Sequence, residues 1–318
     1  MRWVVTGAGG LLAPDVVRAV RRADPGGDVL ALHRADLDVQ DARRARELLT
    51  GADVVVNCAA WTAVDLAESD ESAAVAVNAT GAGTLARAAA AAGARFVHLS
   101  TDYVFDGLHG SAGPSGSPGG VGAPAATRRA YRAQDPTAPV SAYGRSKLAG
   151  ERAVHAAGGD ALVVRTAWLY GAGGPCFPRT VLRLARERGA LSVVDDQWGA
   201  PTWTADVARV LVDLVGAGAP AGTYHAGAAG RTTWCAFAAA VLAAAGITDV
   251  PVRAVSTAEF PTAARRPEFS VLDSDGLRAA GVEPPGDWQD RWALAAPEVL
   301  RAAGLTAATE GRGEPGAG

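Results

Sequence analysis

Arg2-Trp3-Val4-Val5-Thr6-Gly7-Ala8-Gly9-Gly10-Leu11-Leu12-Ala13 places a short β-rich run, a glycine turn and the start of an apolar-periodic stretch one after another. Gly7, Gly10 and Ala13 stand in a G-x-x-G-x-x-A spacing. Glycine permits a tight turn and lets the backbone approach a pyrophosphate. A small third residue lets helix and strand pack closely, and the helix N-terminus favours an anion. A Gly-rich turn after a strand can also be purely structural. Strand, turn and helix in this order are the context that makes the motif a dinucleotide-binding one, so Gly7, Gly10, Leu11 and Leu12 are expected to cradle a cofactor.

Working outward from that turn, strand-like and helix-like runs alternate. Residues 28–32, 53–57, 95–100 and 161–166 read as strands, and 12–22, 39–49, 73–92 and 140–157 as helices. Alternation with helical connections argues for an α/β fold, a Rossmann-type doubly wound parallel sheet. After Thr166 the pattern becomes less regular, with helices near 177–188, 205–215 and 234–245 and then a Pro-rich stretch. Residues 1–166 are therefore expected to form the NAD(P)-binding domain, with elements near 203–227 returning to it. Residues 167–306 form mainly a smaller substrate-binding region. Between 108 and 130 the sequence collapses into Gly, Pro, Ser and Ala, which cannot offset its ordering entropy by burial. A mobile loop is expected there, and a disordered tail at 307–318.

Composition narrows the classes of function. The 318 residues are 49% hydrophobic and 20% charged, with a net charge of −3. That is an ordinary globular protein without the concentrated basic surface that nucleic acid requires. No run approaches a membrane span, and the apolar start fits a strand and turn better than a signal peptide. Cys58, Cys176 and Cys235 are far apart and odd in number, as are free thiols in a reducing, cytoplasmic compartment. Neither they nor the five histidines have metal-ligand spacing, so no metal is expected. Lys147 is the one lysine among 30 basic residues, the pattern of a GC-rich coding sequence. A lysine kept against that bias is a candidate for chemistry that arginine cannot do.

Ser141-Ala142-Tyr143-Gly144-Arg145-Ser146-Lys147 opens a helical stretch, and a spacing of four puts Tyr143 and Lys147 on one face, a turn apart. A nearby ammonium lowers a tyrosine pKa from about 10 toward neutrality, making the phenol a usable general acid for a carbonyl oxygen receiving hydride. The same lysine could hydrogen-bond the nicotinamide ribose. Upstream, Ser100-Thr101-Asp102-Tyr103 follows a strand at the carboxyl edge where doubly wound sheets bind ligands. There the Thr101 hydroxyl could bond a substrate oxygen. At the end of the second strand, Leu32 is followed by His33-Arg34 instead of a carboxylate, with Asp36-Leu37 placed to flank an adenine. Arg34 could pair with a 2′-phosphate, favouring NADPH over NADH, or it could be a solvated arginine. Ala60, Trp61 and Thr62, after the buried strand, could line the cofactor's inner side.

Beyond these motifs the chain resembles the extended short-chain dehydrogenase/reductase superfamily, and within it the dTDP-4-dehydrorhamnose reductase family, over about residues 1 to 300. The resemblance rests on the run from Val56 to Asp65, on Ser100-Thr101-Asp102-Tyr103-Val104-Phe105-Asp106-Gly107, and on the Tyr143/Lys147 helix ending Gly150-Glu151. Arg165 to Tyr170, Asp196-Gln197-Trp198-Gly199-Ala200-Pro201-Thr202 and Arg265-Arg266-Pro267 complete it. It implies NAD(P)H-dependent reduction of a dTDP-4-keto-6-deoxy sugar at C4. Thr101, Tyr143 and Lys147 would be the catalytic set, and Trp168, Asp102, Tyr103 and Arg266 substrate contacts. A buried aromatic at a strand end is the other reading of Trp168. Two positions depart from the family pattern: Cys176 stands where asparagine is usual, and the long loop with Tyr131-Arg132-Ala133 replaces a short Tyr-x-Glu link. A relative making another deoxysugar, such as dTDP-dihydrostreptose synthase, fits as well. A homodimer is compatible with the family.

Two other classes share this fold. Sugar-nucleotide dehydratases and epimerases carry the Tyr-Lys pair, but dehydratases have an acid directly after the Thr-Asp pair, where Tyr103 stands. A non-catalytic NADP-binding regulatory subunit would be signalled by loss of the tyrosine or lysine, and both are present.

Overall fold

The computed structural model describes residues 1–108 and 128–305. All but the ends of the stretch expected to be a mobile loop, and the whole tail at 307–318, lie outside the described residues. The chain begins with β1 (Arg2–Thr6), α1 (Ala13–Ala23), β2 (Asp28–Leu32), α2 (Ala42–Leu49), β3 (Val54–Asn57), α3 (Val64–Ser69) and α4 (Glu71–Val75). A π-helical turn (Ala76–Gly81) leads into α5 (Ala82–Ala91) and β4 (Arg95–Thr101). Then come α6 (Ala142–Ala156), β5 (Ala161–Thr166), β6 (Leu169–Tyr170), α7 (Phe177–Arg188), β7 (Leu191–Val194), β8 (Trp198–Gly199) and β9 (Thr202–Trp203). The remainder is α8 (Thr204–Gly216), β10 (Gly222–His225), β11 (Thr232–Thr233), α9 (Trp234–Ala244), β12 (Val252–Val255), α10 (Asp275–Ala279) and α11 (Trp288–Ala302).

Six parallel strands form the central sheet in the order β10-β5-β4-β3-β1-β2. Both faces are covered, which is why β3 and β5 read as continuous apolar runs and not as alternating ones. On one face Val5, Val56 and Val164 pack with Val16 of α1 and Val207 and Leu211 of α8. On the other, Val4, Val55 and Val163 meet Leu49 of α2 and Leu85 of α5. The strand order reverses at β1, with β2 on one side and β3 on the other, so the glycine turn after β1 opens at the switch point where such sheets take ligands. α8 and β10 return to this sheet, while α7, α9 and α11 build a separate core around Tyr170, Leu182, Phe237 and Trp292.

Two differences from the sequence reading have a specific cause. The single helix expected over 73–92 is broken by the π-helical turn, and helical propensity gives way there to one buried side chain. Asn78 is 1% exposed; its Oδ1 accepts from the Trp61 amide at 2.8 Å, and its Nδ2 donates to the Trp61 carbonyl at 3.0 Å and to Ser146 Oγ at 2.9 Å. A π-turn shifts the register of the helix locally; here it turns Asn78 inward. The second difference is α11, hidden from the periodicity by an internal proline, Pro297. Burial of Trp288, Trp292, Val299 and Leu300, at about 1.5–3 kcal/mol per large side chain, can offset the backbone hydrogen bond that proline removes.

Candidate active site

Gly7 has φ +70, and a Cβ on it would lie 2.6 Å from the amide nitrogen of Ala59. The turn after β1 and the turn after β3 thus touch backbone to backbone, and only glycine allows it. The Gly10 amide donates to the Gly7 carbonyl at 2.9 Å and closes the turn before α1. A cavity of about 480 Å³ opens beside it, lined by Gly7, Gly10, His33, Arg34, Leu37 and Trp61 among others. A second cavity of about 430 Å³ holds Leu11, Leu12, Thr101, Tyr143, Lys147 and Trp168. Gly10, Cys58 and Ala60 line both, so the two adjoin. An elongated dinucleotide fits this shape: a tight glycine turn at the helix N-terminus between a cationic end at Arg34 and a catalytic end at Tyr143. Asp36 is not on the wall. Its carboxylate accepts from the His33 amide at 2.8 Å and shapes the turn that carries His33 and Arg34. Gly9 and Cys58 line the walls and were not anticipated, although Cys58 directly follows the buried strand β3.

The catalytic end is assembled by β4 and α6. Ser141 caps α6, its hydroxyl accepting from the Gly144 amide at 3.2 Å; this is the local reason the helix starts where it does. Lys147, 2% exposed, reaches back across the helix to β4, where Nζ donates to the Leu99 carbonyl at 2.6 Å. One turn further on, the Glu151 carboxylate is held by a two-pronged pair with Arg165 at 2.8 and 2.7 Å and by Ser100 Oγ. This buried pair ties α6 to β4 and β5. Ser146, between Tyr143 and Lys147, donates to the Tyr143 carbonyl at 2.8 Å and accepts from Asn78. Asn78 therefore ties Trp61 to α6, its Nδ2 bonding both. The only sequence signal for it was a polar residue inside an Ala-rich helix.

The charges at this end differ from the sequence expectation in one respect. The Tyr143 hydroxyl is pushed up to about 12, not lowered: burial is the main cause, the Asp102 carboxylate adds to it, and only a hydrogen bond with Thr101 opposes. Burial lowers the Lys147 ammonium to about 8, with Glu151 and Cys58 opposing. The lysine remains charged at neutral pH, yet it spends one donor on Leu99, and burial and Asp102 set the tyrosine. Tyr143 consequently keeps its proton at neutral pH, the form a general acid needs.

Asp102 is 2% exposed and pushed up to about 6 by burial, against hydrogen bonds from Ser270 and Thr101; Thr101 Oγ1 donates to its Oδ1 at 2.9 Å. A carboxyl whose pKa is raised on folding contributes stability that is present below its unfolded value near 3.8 and lost as pH rises through about 6. Asp102→Asn removes that burden and should raise stability at pH 7 by on the order of 2–3 kcal/mol, flattening the pH dependence between about 4 and 6. Denaturant melts at several pH values check this, and a variant less stable than wild type at pH 7 would contradict it.

The remaining predicted substrate contacts are divided. Trp168 lines the catalytic cavity. Tyr103 packs edge-on against Tyr143 at 5.8 Å between ring centroids. Arg266 sits behind Tyr103, fixed to Asp65 at 3.0 and 2.7 Å, and its guanidinium holds the Asp65 carboxyl below the usual range. Neither Arg266 nor Tyr103 lines the cavity, whose wall carries Asp102 and Tyr143 instead. Among the described residues no group of three or more His, Cys, Asp or Glu side chains is placed to hold a metal ion.

A doubly wound parallel sheet with a dinucleotide turn at its switch point, and Tyr143 and Lys147 on a helix packed on β4, defines an extended short-chain dehydrogenase/reductase. A family model described as RmlD substrate binding domain matches residues 1–300. The dTDP-4-dehydrorhamnose reductase of Mycobacterium tuberculosis (strain ATCC 25618 / H37Rv) is 45% identical over 299 residues, covering 93% of each chain. A Streptomyces niveus protein named dTDP-4-keto-6-deoxy-D-glucose reductase is 41% identical over 290 residues, covering 90% of this chain and 93% of its own. The crystal structure of the Bacillus anthracis dTDP-4-dehydrorhamnose reductase in complex with NADP superposes with a TM-score of 0.82 at 32% identity, covering 92% of this chain and 98% of that one. The chain belongs to the dTDP-4-dehydrorhamnose reductase family.

Proposed function

We propose that this protein reduces the C4 keto group of a dTDP-4-keto-6-deoxy sugar with NADPH. The observation that carries the reading is the meeting of Thr101, Tyr143 and Lys147 in one cavity that adjoins the cavity of the glycine turn. Bound NADPH supplies the hydride. Gly7, Gly10, Leu11 and Leu12 would hold its pyrophosphate end, His33, Arg34 and Leu37 its adenosine end, and Ala60, Trp61 and Thr62 its inner side. Tyr143 gives its phenolic proton to the oxygen of the substrate carbonyl as that oxygen gains charge. Thr101, whose hydroxyl also touches Asp102, orients the same oxygen. Lys147 keeps a positive charge one turn below the phenol and stabilises the phenolate left by proton transfer. Asp102 and Trp168 would face the sugar, with Tyr103, packed on Tyr143, and Arg266 as outer contacts.

Incubation of NADPH with several dTDP-4-keto-6-deoxy sugars, with each product identified, tests this reading. Tight NADPH binding without turnover of any of them would overturn it in favour of a regulatory subunit. Product identification also addresses the sugar, because Cys176 stands at the N-cap of α7 without a side-chain cap, its Sγ donating instead to the Gly171 carbonyl at 3.5 Å. Neighbouring Pro175 lines the catalytic cavity, so the departure from asparagine can change which deoxysugar fits, dihydrostreptose included.

The cofactor preference follows from Arg34, which lines the outer cavity where an NAD site would place a carboxylate. Arg34→Ala should weaken NADPH roughly tenfold or more while leaving NADH within about twofold, as expected for loss of one charged phosphate contact. Equal weakening of both would remove Arg34 from the 2′-phosphate. Among the described residues no helix is long and apolar enough to cross a membrane. The reading places the protein in the cytoplasm, in keeping with free thiols at all three cysteines. It also allows a homodimer, which sedimentation would detect, and divides the chain at about residue 166, with α8 and β10 serving the cofactor domain.

A further inference from the structure

Trp168 is the only non-glycine residue among those described with a positive φ, 46°. For a bulky residue that conformation is costly and persists only where the surroundings over-determine it. The surroundings here are specific. The indole of Trp234, the first residue of α9, stacks on that of Trp168 with 3.5 Å between ring centroids and 7° between planes. Phe177 backs Trp234 in turn at 4.5 Å. A Cβ built on Gly199 would lie 2.6 Å from both Cζ2 and Nε1 of Trp168 and closer still to Cε2 between them. Near-equal approach to three consecutive ring atoms places the Gly199 backbone over the ring, so it covers the indole from the side that Trp234 leaves. The Trp168 carbonyl is pinned as well, accepting from the Thr202 amide at 3.2 Å.

We propose that Trp234 and Gly199 are positioning residues that clamp the plane of Trp168, so that a sugar in the catalytic cavity meets the indole's edge and its N–H. A free tryptophan beside a sugar offers its face for stacking, which tolerates many ring orientations. A clamped edge with one donor tolerates few, because the donor is directional. Among the described residues the Trp168 N–H donates to no protein atom, leaving it available for a hydroxyl or carbonyl oxygen. The clamp thereby selects which face of the keto group is turned toward the hydride and is a determinant of product stereochemistry.

This inference rests on the keto-sugar reading, and the experiment separates the two. Steady-state kinetics and the C4 epimer ratio of the product are measured for wild type, Trp168→Ala, Trp234→Ala, Trp234→Phe, Gly199→Ala and the Trp168→Ala/Trp234→Ala double variant. Trp234→Ala should raise the keto-sugar KM roughly tenfold and erode the epimer ratio, with the NADPH KM within about twofold, since small misplacements at a reacting centre are costly. Gly199→Ala should act in the same direction, and Trp234→Phe, which keeps a stacking ring, should recover most of the loss. The double variant should be no worse than Trp168→Ala alone, because residues acting through one another are not additive. Additive losses, an unimproved Trp234→Phe, or equal rises in both KM values would overturn the clamp while wild-type turnover leaves the reductase reading standing. A wild-type protein that reduces no keto sugar would overturn both.

Discussion

Tyr143→Phe should lower kcat by about 10²–10⁴-fold, the range ordinarily contributed by a positioned general acid, with NADPH affinity and thermal stability close to wild type. The substitution removes one oxygen from a ring that packs edge-on against Tyr103, so the cavity keeps its shape. What disappears is the proton donor. With its hydroxyl pushed up to about 12, Tyr143 is protonated over the whole working pH range. Proton transfer in the wild type is therefore not limited by the fraction of tyrosine in the acid form, and no activity limb between pH 6 and about 9 should be assignable to it. Stopped-flow or steady-state oxidation of NADPH with a keto sugar measures this; turnover within a few-fold of wild type would remove Tyr143 from the mechanism.

Lys147→Arg should lose roughly 10²–10³ in kcat/KM, since misplacing a buried charge beside the reacting groups has costs of that size. Arginine keeps the charge but not the shape. The ammonium sits 2% exposed with one carbonyl partner, Leu99, at 2.6 Å. A guanidinium is wider and carries five donors, most of which would have no acceptor there. The pH profiles separate lost charge from lost geometry. Burial lowers the wild-type lysine to about 8, so its charge, and with it the activity, should decline as pH rises through about 8. Arginine holds its proton far above that pH, so the variant should be weak but without the alkaline limb. Lys147→Met should instead be inactive at every pH and more stable than wild type, because the folded state pays to bury an ammonium whose pKa it depresses. That contribution is lost to the fold as pH falls through about 8. An arginine variant with unchanged turnover and profile would show the lone lysine to be incidental.

The first five strands of the sheet were readable from sequence because burial on both faces leaves a plain trace, Val54-Val55-Val56 in β3 and Ala161-Leu162-Val163-Val164 in β5, while β10 was read only as part of a segment returning to the sheet. The small paired strands β6–β9, β8–β11 and β7–β12 left none, being only two to four residues long. The same limit applied to the site. Glycine spacing and the Tyr-Lys interval are local patterns, and they pointed to Gly7, Gly10, Tyr143 and Lys147 directly. Asn78 was unreadable: its partners Trp61 and Ser146 lie 17 and 68 residues away. Trp234 was equally silent, and Gly199 stood in the 196–202 run without a role of its own, since the indole they enclose belongs to another segment altogether.

The sequence by itself determined the first five strands and the helices between them, the glycine turn and the one-turn interval between phenol and ammonium. Each of these is set by short-range geometry: a backbone angle that only glycine takes freely, a strand period of two, a helix period of 3.6. Only the tertiary structure decided the protonation of the catalytic groups and the orientation of the side chains around them. Burial and long-range neighbours govern both. The lysine expected to acidify Tyr143 is instead desolvated and bonded to Leu99, so the field at the phenol is set by burial and by Asp102. Whether Trp168 shows a face or an edge to its substrate depends on a stacking partner and a glycine that reach it only through the fold.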